Sequence, residues 1–131
     1  MQKVAVMPKN YHQPVNNAYS HAIRVDNVLY IAGQVPLDDQ GRVVGVRDMR
    51  KQATQVFKNI GRILKEVGAG FDNIVKWNGY MIDMDHNFPA YAEVRSKYFS
   101  KNPKPAATLV EVKSLALREF LLEIEAIAVL D

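Results

Sequence analysis

The stretch "LLEIEAIAVLD", residues 121–131, closes the chain, and its reading decides the fold. It is almost wholly apolar, yet Glu123 and Glu125 sit inside it. Successive side chains of a strand point to opposite faces. Glu123, Glu125 and Ile127 therefore share one face, and Leu122, Ile124 and Ala126 share the other. Two carboxylates about 7 Å apart on one strand face repel unless something compensates. The residues alone leave two readings open. Either the glutamates lie on a solvated sheet face and do nothing further, or they border a partly desolvated cleft. There a carboxylate's pKa rises, and it can hold or deprotonate a water.

Upstream, "AATLVEV" (106–112) reads as the preceding strand, joined to the last by "KSLALRE" (113–119). Before it, Asn87 is an expected N-cap for a helix with Pro89 in its first turn. Phe88, Tyr91, Val94 and Tyr98 form that helix's apolar stripe, and "NPKP" (102–105) breaks it. "NIVKWNGYMIDM" (73–84) reads as a strand. Ala53, Val56, Phe57, Ile60, Leu64 and Val67 recur at helical spacing. Asp48 can cap that helix, and Gly68 sits where a left-handed C-cap is wanted. "HAIRV" (21–25) and "VLYIAGQV" (28–35) are strand-like runs whose Asp26-Asn27 link suits a tight hairpin. "KVAVMP" (3–8) reads as a first strand stopped by Pro8, and "KNYHQPVNNAYS" (9–20) as an ordered loop or flap.

The expected order is β-β-β-α-β-α-β-β, an α+β fold in a single domain over residues 1–131. One sheet with both helices on one face buries such elements best. The other face is then partly apolar and uncovered, which predicts self-association.

The composition narrows the function classes. At 48% hydrophobic and 24% charged, the chain is globular rather than disordered. Its net charge of +3 is mild and no basic run stands out, so charge makes no case for nucleic acid. With no cysteine there is no disulfide, zinc-thiolate site or thiol nucleophile. The apolar runs are too short to cross a bilayer. "MQKVAVMPKN" lacks a signal-peptide core, so the expected address is the cytoplasm.

Other candidate chemistry is weaker. "DMDH" (83–86) straddles a strand end and a helix start, so it reads as a capped loop and no metal is expected. His12 and His21 have no local carboxylate partner to make a triad. Gly68 and Gly70 follow a helix and do not open one, so they form no phosphate loop. Trp77, Tyr80 and Tyr91 read as core or interface rather than as a base-stacking platform.

Four stretches share an order and spacing: "AYSHAIRVDNVLYIAGQVPLDDQG", "QATQVFKNIGRILKEVGA", "FPAYAEVRSKYF", and "PAATLVEV" followed by "LEIEAIA". Together they resemble the RidA/YjgF family of enamine/imine deaminases along nearly the whole chain. The resemblance implies a chorismate-mutase-like fold with one mixed sheet. It also implies a homotrimer with clefts between subunits, and hydrolysis of a small imine or enamine without a cofactor. By motif match, Glu123 stands for the glutamate that positions the attacking water, Tyr19 for the tyrosine lining the cleft, and Gly33 for the glycine that approaches the ligand. Glu125 is expected to support the site or the subunit contact.

The chain departs from the family pattern at Pro105-Ala106-Ala107, where typical members read Pro-Ala-Arg. The arginine clamps the substrate carboxylate there. Ala107 can hold no anion. Leu109 stands where cysteine is frequent, and Ala92 where some members carry asparagine. The expected substrate therefore differs from simple 2-imino acids, with Arg24 or Arg95 as candidates to meet its charge. A ligand-binding trimer without catalysis and an RNA-acting protein, after the family's endoribonuclease and translation-inhibitor descriptions, are the alternatives.

Overall fold

The computed structural model describes residues 2–131. In it the closing stretch becomes a central strand rather than an edge. The strands are β1 (Lys3–Val6), β2 (Ala22–Val25), β3 (Val28–Gln34), β4 (Ile74–Met81), β5 (Ala106–Glu111) and β6 (Leu122–Val129). They form one sheet in the order β1-β2-β3-β6-β4-β5. β6 pairs antiparallel with β3 on one side and β4 on the other, whereas β4 and β5 run parallel, so the sheet is mixed. Helix α1 (Met49–Glu66) connects β3 to β4, and α2 (Met84–Ser96) connects β4 to β5. This is the expected α+β order.

The alternation in β6 sorts the two faces. Leu122, Ile124, Ala126 and Ala128 are buried in a common core with Phe57, Ile60 and Leu64 of α1 and with Tyr91 and Val94 of α2. Phe57 stacks on Tyr98 at 4.9 Å between ring centroids, and its ring lies 6.3 Å from that of Tyr91, which ties the two helices together. Glu123, Glu125 and Ile127 are only half-buried, on the face away from the helices. Tyr30, Val110 and Val129 are exposed. By strand alternation they lie on that same open face.

Local signals explain the joints. Asp26 adopts φ 52°, and Val25 pairs with Val28, so Asp26-Asn27 is a two-residue hairpin turn. The Asp48 carboxylate accepts the Lys51 N–H at 3.1 Å and caps α1. Gly68, just past that helix, takes φ +73°, a conformation glycine adopts without Cβ strain.

The second helix departs from the expectation. It begins at Met84, with Asp83 at the N-cap, three residues before Asn87. The Met84 side chain packs against the core, and its N–H donates to Glu111 Oε1 at 2.9 Å, so the extra turn is anchored from β5. Asn87 lies within the helix and donates its side-chain N–H to the Ile82 carbonyl at 2.8 Å. Pro89 consequently falls in the second turn. Phe88 is exposed rather than part of the core stripe, and Tyr98 packs from beyond the helix end.

Candidate functional site

The site grows from one irregularity in the sheet. The β3–β6 ladder shifts register between Ile31 and Gln34, which lifts Gly33 out of regular pairing. Glu123, on the half-buried face of β6, turns its carboxylate into the space beside it. A Cβ built at Gly33 would lie 2.0 Å from Glu123 Oε2. Only a residue without a side chain leaves the carboxylate where it is.

Glu123 and Gly33 line a cavity of about 840 Å³, together with Tyr19, Tyr11, His12, His21 and Leu117. Three of the expected site residues, Glu123, Tyr19 and Gly33, are thus neighbours in space although they come from three different segments. Glu123 has no hydrogen-bond partner among the described residues. Burial, and secondarily the charge of Glu125, raises its pKa above the ordinary carboxylate value. Glu125 is held differently. It accepts from Asn78 Nδ2 at 3.2 Å and from the Tyr80 hydroxyl at 3.1 Å, both on β4. One glutamate is therefore anchored, and the other is free and faces a cavity.

Tyr11, His12 and His21 of the cavity lining belong to a polar chain that the sequence did not reveal. His12 (7% exposed), His21 (3%) and Gln34 (0%) are buried together. The Tyr11 hydroxyl donates to Gln34 Oε1 at 2.6 Å. The Gln34 amide lies 3.3 Å from His21 Nδ1, and His21 Nε2 lies 2.8 Å from the His12 carbonyl. A carbonyl only accepts, so His21 carries its proton on Nε2 and offers Nδ1 as acceptor to the amide. The network has one consistent direction and keeps His21 neutral. Burial lowers the pKa of both histidines, that of His12 to about 4. His12 stacks on Tyr11 at 4.3 Å, and the Arg62 guanidinium covers the far side of the cluster, 5.1 Å from the Tyr11 ring centroid. Without a local carboxylate, nothing in the sequence tied His12 to His21. Gln34 at the end of an apolar strand was the one available hint.

The remaining expected residues lie elsewhere. Ala107 stands beside Trp77 in the parallel β4–β5 ladder, whereas Glu123 stands beside Tyr80. Trp77 and Tyr80 have opposite parity on β4, so Ala107 and Glu123 occupy opposite faces of the sheet. Ala107 borders a second cavity of about 330 Å³ with Trp77, Arg95, Phe99 and Lys104. Arg95 is accordingly next to the vacated position. Arg24 lines neither cavity. Its Nε donates to the Asp26 carbonyl at 2.9 Å, which folds the side chain back onto its own hairpin. Leu109 packs over Gly79, where an added Cβ would lie 2.7 Å from Leu109 Cδ1. Of the motif near α2, Asp85 and His86 are exposed in the first turn.

Known proteins resemble the chain over nearly its whole length. The family model for endoribonuclease L-PSP matches residues 11–130. A RutC family protein of Pyrococcus abyssi is 37% identical over 128 residues, 98% of either chain. The mouse 2-iminobutanoate/2-iminopropanoate deaminase is 39% identical over 111 residues, covering 85% of this chain and 80% of its own. Among solved structures, yeast Mmf1 superposes with a TM-score of 0.89 at 35% identity, covering 99% of this chain and all of the other. RidA from an Antarctic Psychrobacter superposes with a TM-score of 0.85 at 28% identity, covering 97% and 99%.

Proposed function

The chain belongs to the RidA/YjgF family, that of the endoribonuclease L-PSP model, and on that premise we propose that it hydrolyses a reactive imine or enamine to a carbonyl compound and ammonia. The observation that carries the reading is Glu123: a partly desolvated, unpartnered carboxylate facing a cavity beside Tyr19 and Gly33.

The geometry suits the reaction. An imine is already electrophilic, and more so when protonated, so catalysis needs an oriented water and a base. The Glu123 carboxylate accepts a proton as the water oxygen bonds to the imine carbon, giving a carbinolamine. The proton then passes to nitrogen, the C–N bond breaks, and ammonia leaves as the C=O bond forms and the carboxylate of Glu123 takes up the hydroxyl proton. The raised pKa makes Glu123, once ionised, a stronger base than a solvated glutamate. No metal, cofactor or covalent nucleophile is needed for these steps.

The catalytic unit of this proposal is a homotrimer. Ala107 and Glu123 lie on opposite faces of one sheet, so the two cavities of a single copy do not join through the sheet. The exposed apolar open face supplies a surface for other copies, and a cleft between copies can bring one chain's Glu123 cavity to the next chain's Ala107 cavity. The substrate differs from a simple 2-imino acid because Ala107 offers its carboxylate no bidentate partner.

An amino-acid oxidase that generates imines in situ tests the reading directly. With a range of amino-acid side chains, ammonia release should accelerate in the presence of the protein, least for the smallest imines. Folded protein that accelerates none of them would leave a ligand-binding trimer in place of a deaminase.

A further inference from the structure

We propose that the Ala107 cavity is a binding subsite for an aryl-bearing carboxylate, with Arg95 and Lys104 supplying the charge and Trp77 and Phe99 the floor. Three observations converge on it. The first is space: the short side chain at 107 leaves a concavity of about 330 Å³ beside an exposed strand. The second is the floor. The Trp77 and Phe99 rings lie nearly parallel, 14° apart with centroids 6.0 Å apart, and both line the hollow.

The third is unspent charge. Like most cations of the chain, Arg95 and Lys104 have no carboxylate partner among the described residues, but these two line one hollow. The Arg95 guanidinium rests over the Tyr91 and Phe88 rings, 5.5 and 5.7 Å from their centroids, which steadies it without neutralising it. The Lys104 ammonium donates only to neutral oxygens, Asn102 Oδ1 at 3.1 Å and the Ser100 carbonyl at 3.4 Å. Two uncompensated cations at the rim of an aromatic-floored hollow select an anion attached to an apolar ring. A bare small carboxylate would satisfy the charge and leave the floor uncovered. A neutral aromatic would cover the floor and leave the charge unmet.

The inference rests on the imine-hydrolase reading only for what the ligand goes on to do, since binding is separable from turnover. Trp77 is the single tryptophan of the chain and forms part of the cavity, so its emission reports occupancy. Titration with phenylacetate should give a saturable change in Trp77 emission. Acetate and the neutral analogue phenylacetamide should each bind about 10-fold more weakly or worse. Arg95→Met and Lys104→Met should each weaken phenylacetate about 5- to 10-fold. Ala107→Phe should abolish its binding by filling the hollow, with circular dichroism unchanged in all three variants. Equal binding of phenylacetate and phenylacetamide would overturn the inference, as would affinity unmoved in both Met variants or no saturable signal at all. Saturable phenylacetate binding without hydrolysis of any imine would instead overturn the functional reading and leave this subsite standing.

Discussion

Gly33 and Glu123 form a steric pair, and their separation decides whether the carboxylate is usable. In Gly33→Ala the new methyl must push the Glu123 side chain away, because it would otherwise sit 2.0 Å from Oε2. The backbone there is not in the left-handed region, so the fold accepts alanine. Imine hydrolysis should fall about 100-fold, the usual result of an ångström-scale misplacement, while Tm moves by only a few degrees.

Glu125 acts on the same carboxylate through its charge. Because that charge helps to raise the Glu123 pKa, Glu125→Gln should shift the acid limb of the kcat/KM profile to lower pH. An unmoved limb would mean that another group governs it. The raised pKa also bears on stability. Folding binds the Glu123 proton more tightly than the unfolded chain does, so this contribution is complete below the unfolded carboxyl's pKa and is lost as pH rises through the raised value. Glu123→Gln should therefore melt about 2–5 °C higher than the parent at neutral pH, exchanging function for stability.

At the scale of elements, the loop before β2 is held by the neutral Tyr11–Gln34–His21–His12 chain. A histidine with a depressed folded pKa stabilises the protein above its unfolded value and loses that contribution as pH falls through the folded value. For His12 the window runs from 6.5 down to about 4. Urea unfolding followed between those limits should show stability falling with acidity, with a shallower fall in His12→Phe. Burial, which dominates the shift, would be wrongly assigned if the two slopes coincided.

How far the elements were legible also differs by kind. Periodicity identified the strands and helices because one face of each is buried, as in β6, whose alternation survives intact from sequence to sheet. Asp48, Asp26 and Gly68 declared themselves through capping and turn chemistry. The start of α2 was misread because its first turn is fixed by a tertiary contact, the Met84 N–H on Glu111, and no local residue encodes that. The polar chain beside the cavity was invisible for a similar reason: His12, His21 and Gln34 meet only after β2 and β3 fold against the loop. Tyr19, Gly33 and Glu123 became candidates through resemblance to a family, since spacing alone left Glu123 between a solvated face and a cleft.

For the molecule as a whole, the open sheet face is the apolar surface that the helices leave uncovered. It presents Tyr30, Val110, Val129 and Ile127 around the two glutamates, an apolar surface with no helix over it. The proposed trimer should sediment at three times the chain mass of 14.8 kDa. Tyr30 pairs with Ile127 near the middle of the face. Tyr30→Glu would bury an unpaired charge in each contact, so it should yield folded monomers without imine hydrolysis. A monomeric parent protein that retains full activity would show that one chain's cavity suffices.

Glu123 is the centre of the proposed chemistry, and the rate of imine hydrolysis by Glu123→Gln beside the parent tests it. Both should be assayed on the best imine substrate, with their trimer content and circular dichroism matched. The glutamine keeps the size and loses the proton acceptor. A fall of about 100-fold or more is predicted, from the removal of a general base. Parental activity in a folded Glu123→Gln trimer would contradict the account, because the carboxylate facing the cavity would then have no part in the chemistry.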